Sequence, residues 1–270
     1  MSPKTKAAPV TKLATHTNEA LFYRDKNLVD DLMGKLTFTE MMFFHILGRH
    51  PRPADTKILD AVLVTLLEHG LTPSAISTRL TYHSAPEAVQ AAVSAGLLNV
   101  GSTFVGTMEN ASKLLEIVTT DEAGIEASAR REITAIREAR GMLPGFGHHL
   151  HRPDDPRTPK LFEIALAEDG IEGSYINALQ IVSGVVDEIY GKHLTINATG
   201  AVAAVLMEIG VPSHIMRGFA VISRAAGLVA HIAEEHDCGT ARTIWEVTEE
   251  TIPYAGGAPI PGADTGNDKD

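Results

Sequence analysis

The sequence holds one cysteine, Cys238, in 270 residues. A lone thiol forms no internal disulfide and supplies no metal cluster, which fits a reducing compartment, the cytoplasm. Long apolar runs are lacking too. None reaches the roughly 18 residues that a membrane span needs, and no apolar core of a signal peptide follows the Lys- and Thr-rich start MSPKTKAAPVTKLATHTNEA. Positive charge is scarce: 23 Lys and Arg stand against 34 Asp and Glu, a net charge of −11. That balance excludes a general nucleic-acid binder, which needs a basic surface to displace counterions. It leaves room for a small anionic ligand, because a few arginines make a local positive pocket in an acidic protein. Strand patterning is also missing: the nearest candidate, Leu97–Val105, is broken by Gly101. No internal repeat is evident.

What remains is helical punctuation. The composition, 44% hydrophobic and 21% charged, is that of an ordinary globular chain, long enough for one sizeable domain or for a large and a small lobe sharing a core. Thr37 and Glu40 have the spacing of a capping box, an apolar run follows, and Gly48 sits where a C-terminal cap belongs. Pro53–His69 carries Ile58, Val62 and Leu66 at i+4 spacing with Gly70 as a stop, and Thr72-Pro73 reads as an N-cap and first helical residue. Further helices are expected over Pro86–Val100, Thr107–Thr119, Asp121–Arg140, Thr158–Glu168, Ser174–Tyr190, Thr199–Ile209, Ser213–Glu235 and Thr240–Glu249. In the long penultimate helix, Phe219, Ile222, Ala226 and Val229 suggest the buried face. The fold class is all-α. Residues 1–17 are expected to form a flexible leader and 255–270 a flexible Gly/Pro/Asp-rich tail.

The longest non-helical stretch, Met142–Arg157 (MLPGFGHHLHRPDDPR), gathers three histidines, two arginines and two aspartates. Loops on a rigid scaffold often hold binding chemistry, and here the N–H groups of Gly145 and Gly147 are expected to face a ligand. His148, His149 and His151 are candidate acid/base groups, because imidazole titrates near neutral pH. A zinc site among them is weakly supported by adjacent loop histidines alone, and no metal or prosthetic group is expected.

GFGH followed by D-P-R resembles the central signature of the citrate synthase and citryl-CoA lyase superfamily, including the C-terminal part of ATP-citrate lyase. Five further segments fall in the same order: LTFTEMMFFHILGRHP, DAVLVTLLEHGLTPSA, AAVSAGLLNVGSTFVGTMENA, LTINATGAVAAVLMEIGVP and SRAAGLVAHIAEE. Together they span Asn18 to Pro253. The resemblance implies a large helical domain (18–112 and 206–254) with a smaller inserted helical domain (113–205), and a two-fold dimer packed through Ala/Gly-rich segments, Ala88–Gly106 and Gly218–His231. It implies a coenzyme A thioester as cosubstrate and a carbon–carbon bond made or broken between the acyl enolate and a keto-carboxylate. By position, His69, Arg157 and Arg224 resemble the carboxylate-binding residues, and His148 the histidine acting at the keto oxygen. Gly145, Phe146 and Gly147 resemble the backbone cradle for the cosubstrate.

Two positions depart from the family. Phe104 stands where the resemblance expects the thioester-facing histidine, and Thr199, in Ile196-Asn197-Ala198-Thr199-Gly200, where it expects an aspartate. Phe donates no hydrogen bond, and Thr has no basic form near neutral pH. A third carboxylate-binding arginine has no counterpart in TIWEVTEETIPYAGG. Phe104, Thr199 and Asn197 then become substrate-contacting positions, with Glu109, Asn197 and His83 as chemical substitutes for the missing pair. Three functions stay open: a lyase acting on citryl-CoA or another thioester, a diverged carboxylate- or CoA-binding scaffold, and a CoA-independent retro-aldol or decarboxylating enzyme. Glu109 and the loop histidines meeting in one cavity would favour new chemistry; scatter would favour a binder.

Overall fold

The computed structural model describes residues 9–256 except 102, 104, 105 and 149. Among the described residues it is a helical assembly: α1 Phe38–Leu47, α2 Pro53–Leu67, α3 Pro73–Ser84, α4 Val89–Leu97, α5 Met108–Thr120, α6 Ile125–Glu138, α7 Arg157–Leu166, α8 Ser174–Tyr190, α9 Ala198–Glu208, α10 Met216–Cys238 and α11 Ala241–Thr251. The all-α expectation holds, with one addition. Ala14–His16 (β1), Leu21–Tyr23 (β2) and Lys26–Asn27 (β3) form a small antiparallel sheet, Thr15 opposite Phe22. β1 lies inside the stretch expected to be a leader. Its three residues are too few to show an alternating pattern, and Arg24 ties the sheet to α1 by donating from Nε to the His45 carbonyl at 2.9 Å.

Helix ends follow local chemistry where the sequence offers it. The Thr37–Glu40 capping box is formed, and Gly48 closes α1 in the left-handed conformation. α8 starts after Gly173 with no cap of its own; Glu208 of α9 supplies one, accepting from the backbone N–H groups of Tyr175 and Ile176. α9 (ATGAVAAVLME) is apolar on every side, and nearly all of it is buried. That is the pattern of a central helix, and α2, α5, α7 and α8 pack around it.

α10 extends one expectation and corrects another. The helical stretch Ser213–Cys238 is long and apolar enough to cross a membrane by length and composition, although no uninterrupted apolar run is. Its buried stripe is also not the expected one. Ala226 and Val229 are exposed, whereas Phe219, Ala220, Ser223, Arg224, Gly227, Leu228, His231, Ile232 and Glu235 are buried. The stripe packs on α2, α3 and α4, where Ser223 bonds the Leu63 carbonyl and Glu235 bonds Arg79, as buried polar groups of a core helix require.

Gly227 sets the distance between α10 and the end of α2. A Cβ built there would lie 2.0 Å from the Leu67 carbonyl oxygen and 3.3 Å from a Glu68 carboxylate oxygen. Gly227→Ala is therefore expected to lower stability by about 1–3 kcal/mol through overpacking, read as a lower urea midpoint with an unchanged slope.

Candidate functional site

Four helix N-termini and the Met142–His148 loop surround a cavity of about 270 Å³. Thr72, Pro73 and Ser74 come from the start of α3, Thr107 from α5, Arg157 from α7, and Asn197, Ala198 and Thr199 from α9. Helix N-termini carry partial positive charge and free N–H groups, so their convergence favours an anion. They are not equally available. At α9, Asn197 Oδ1 accepts from the N–H groups of Thr199 and Gly200, both at 3.1 Å, and Asp155 accepts from that of Ala198. At α3 no side chain caps the helix, and the buried Thr72 hydroxyl lacks a hydrogen-bond partner among the described residues.

The glycine loop is held by its backbone. Gly145 accepts from Asn197 N–H at 3.0 Å, Phe146 bridges Ile196, and Gly147 N–H donates to Thr195 at 2.8 Å. The expectation that the Gly147 N–H faces a ligand is thus corrected: the bridge to Thr195 uses it. Gly145 sits at φ +83°, and a Cβ there would lie 3.0 Å from Gly200 Cα. Two glycines let the loop touch α9, and Gly145, Phe146 and Gly147 all line the cavity.

His69, at the end of α2, and His148 both line the cavity, their ring centroids 5.7 Å apart. His148 Nδ1 accepts from the N–H groups of Leu150 and His151 at 3.1 and 3.0 Å. That nitrogen therefore carries no proton, and Nε2 is the proton-bearing one. His151 packs 4.4 Å from the His148 ring, centroid to centroid, and is not part of the wall. Asp155 has a ligand atom within 4.8 Å of those of His148 and His151. Its carboxylate already accepts four hydrogen bonds, three from Arg157 and one from Ala198 N–H, so it offers a cation little.

The two cationic candidates differ. Arg157 is bidentate to Asp155, Nε to Oδ1 at 2.9 Å and Nη2 to Oδ2 at 2.7 Å, so a protein carboxylate already balances its charge. Burial pushes the Asp155 carboxyl up, but the bonds from Arg157 and Ala198 outweigh it and hold it below its ordinary value. The linkage sign follows. Stability from this lowered pKa is fully present above the ordinary value of 3.8 and is lost as pH falls through the folded value. Asp155 is fully buried, so Asp155→Ala should cost about 3–5 kcal/mol at pH 7 by leaving Arg157 uncompensated. Denaturant titrations at pH 7 and pH 3 check this: the penalty should shrink at the lower pH.

Arg224 is 3% exposed, and its Nε and Nη1 are buried without hydrogen-bond partners among the described residues. Its nearest acid, Glu68, approaches Nη1 only to 3.9 Å. Burial pulls its pKa below the ordinary arginine value, partly offset by Glu68. A buried, poorly paired guanidinium at the wall of a cavity is the strongest sign of a carboxylate site in the molecule.

A hydroxyl chain also lines the cavity. Thr199 Oγ1 donates to Asn197 Oδ1 at 2.7 Å and lies 2.7 Å from Thr107 Oγ1, which is then the donor to Thr199. Asn197 Nδ2 donates in turn to the Gly147 carbonyl. Of the proposed substitutes, Glu109 pairs with Arg217 at 2.8 Å instead of lining the cavity, and His83 is exposed at the end of α3. Phe104 and His149 lie outside the described residues. Sequence reasoning assigned no role to Glu68, Thr107 or Asp155; the signals were the position of Glu68 beside His69 and of Asp155 as the first residue of D-P-R.

The fold and site define an all-α protein whose cavity is set by a glycine loop against a helix N-terminus. More narrowly, the chain belongs to the citrate synthase family: the model for the citrate synthase C-terminal domain matches residues 6–245. Citryl-CoA lyase from Hydrogenobacter thermophilus superimposes with a TM-score of 0.82 at 28% identity, covering 93% of this chain and 96% of that one. The ATP citrate lyase of Methanosaeta concilii, a D541A mutant in complex with (3S)-citryl-CoA, shares the fold at 17% identity and a TM-score of 0.77, covering 94% of this chain and 43% of that one. A Synechocystis citrate synthase is 24% identical over 204 residues, 74% of this chain and 50% of its own length. The chain thus spans about half the length of that curated relative.

Proposed function

We propose that this chain makes or breaks a carbon–carbon bond between an acyl-CoA enolate and a keto-carboxylate, as a lyase of the citryl-CoA type. The observation that carries the reading is Arg224, a buried cation with unpartnered donors beside a cavity ringed by helix N-termini. A carboxylate there would supply the missing bidentate partner. His69 and Arg157 flank the same ligand, and Asn197, Thr199 and Phe104 contact its acyl part. With its proton on Nε2, His148 stabilises the alkoxide that forms as the keto carbonyl is attacked. The coenzyme A thioester lies along Gly145, Phe146 and Gly147, and its acyl group need not be that of citryl-CoA, since Phe104 favours a more apolar one. His149 and His151 stand as auxiliary acid/base groups of the loop.

The same proposal includes the two-lobed division at 113 and 205, a cytoplasmic location and a homodimer. Exposed Val229, Trp245, Val247 and Ile252 on and after the last two helices support an apolar interface.

One observation favours a second reading, a diverged carboxylate- or CoA-binding scaffold. Glu109 is turned to Arg217, His151 packs on His148 without lining the cavity, and among the described residues the carboxylate lining it is Glu68, already hydrogen-bonded. The deciding experiment is citryl-CoA cleavage by the purified protein, with oxaloacetate read through coupled NADH oxidation and His148→Ala as control. Turnover that the control abolishes supports the lyase. Binding of coenzyme A and citrate without turnover supports the scaffold.

A further inference from the structure

A line of polar and charged groups, buried at Glu235, Arg79 and His231 and exposed at Glu68, runs from the start of α11 to the cavity wall. Arg79 of α3 is 1% exposed, and its Nη1 donates to Glu235 at 2.9 Å and to Thr240 at 3.0 Å, while Nη2 pairs with Glu234. Glu235 also accepts from Thr240 Oγ1 and the Ala241 N–H, the first N–H of α11. The third arm, Arg79 Nε, donates to His231 Nδ1 at 3.0 Å. An arginine only donates, so His231 Nδ1 is an acceptor and the ring proton is on Nε2. That nitrogen faces Glu68 Oε2 at 2.9 Å, a short contact whose alignment falls short of a good hydrogen bond. The other oxygen, Glu68 Oε1, accepts from the N–H groups of His69 and Gly70 at 2.7 Å each and is the atom nearest Arg224.

We infer that His231 is a positioning residue for the anion cavity: its Arg79-fixed tautomer holds Glu68, and Glu68 holds the His69–Gly70 backbone and flanks Arg224. The inference rests on the reading of the cavity as a carboxylate site. His231 itself does not line the cavity, so its effect passes through Glu68. The polar stripe of α10 acquires a purpose beyond packing. Ser223 donates to the Leu63 carbonyl, Gly227 lets the helix reach Leu67, and His231 grips the next carboxylate, so three successive turns of one helix fix the end of α2.

The chemistry names the test. Glutamine reproduces both roles of His231, with an amide oxygen to accept from Arg79 and an amide N–H to face Glu68; leucine reproduces neither. Citrate affinity would be measured by calorimetry, and amide hydrogen exchange at His69 and Gly70 recorded, for the wild type, His231→Leu and His231→Gln. His231→Leu is expected to weaken citrate binding by about 2- to 30-fold, the range for residues coupled through a network, and to speed exchange at both amides. His231→Gln should restore both. Leu and Gln variants that behave alike, or a Leu variant matching the wild type, would overturn the assignment. Should the wild type not bind citrate, the carboxylate reading fails, and the exchange comparison alone still decides the His231–Glu68 link. Should His231→Leu not fold, Glu68→Ala leaves the Arg79–His231 pair intact, removes the acceptor of both N–H groups and must by itself speed exchange at His69 and Gly70; unchanged exchange would overturn the link.

Discussion

Replacing Arg224 with methionine should make the protein more stable and less able to bind a carboxylate at the same time. Arg224 is almost wholly buried, and its Nε and Nη1 lack hydrogen-bond partners among the described residues. A buried charge in that condition costs free energy that the 3.9 Å approach of Glu68 recovers only in part. A methionine keeps an apolar stem and removes the buried charge, and stability should rise by about 1–4 kcal/mol. Glu68 keeps the N–H groups of His69 and Gly70 and the contact with His231, so it is not orphaned by the change. Citrate affinity should meanwhile fall by roughly 30-fold to several thousand-fold, the equivalent of about 2–5 kcal/mol for removing one member of a buried charge pair. Thermal unfolding and calorimetry on one preparation check both signs. A structural ion pair with Glu68 predicts the opposite, lost stability with little change in binding. Stored instability at a binding site is the usual relation between stability and function.

Local features of the fold were legible because short-range chemistry sets them. The capping box at Thr37, the glycine closing α1 and the helix Ser174–Tyr190 are all written within a few neighbouring residues. α10 was harder. Counting apolar side chains selected Ala226 and Val229, whereas the buried stripe carries Ser223, Arg224, His231 and Glu235. Polar residues qualify as core only through partners far away in the chain, and periodicity contains nothing about those partners. The same limit explains the site. His69, His148, Arg157, Arg224, Asn197 and Thr199 were named from motifs, and all line one cavity. Their pairing was not legible: Arg157 is balanced by Asp155, Arg224 is not, and Thr107 of α5 bonds Thr199 of α9. Glu109 looked like a substitute carboxylate until Arg217, on a different helix, claimed it.

Restoring an acid at position 199 should have the largest effect on turnover of any single change. Thr199 is the second residue of α9, where the resemblance expects an aspartate, and its hydroxyl is donated to Asn197. In Thr199→Asp, the introduced carboxylate cannot donate to Asn197 Oδ1, but Thr107, 2.7 Å from the present hydroxyl, already directs its O–H there and can donate to it. The N-terminus of α9 also favours a negative charge in its first turn. The cavity would then hold a base facing the ligand, with Arg224 and His148 unchanged. A positioned base contributes about 10²- to 10⁴-fold, so citryl-CoA cleavage should rise by that factor in kcat with a much smaller change in KM. Thr199→Asn, similar in size and without basicity, is the control and should show no gain. A rise confined to the aspartate variant would mean that the thioester reaches α9 and that the missing base at position 199 limits proton transfer, whatever Phe104 withholds besides. Equal rates for both variants would mean that the proton is handled elsewhere, or that the thioester never reaches α9, and would shift attention to the acyl-facing wall near Thr103 and Thr107.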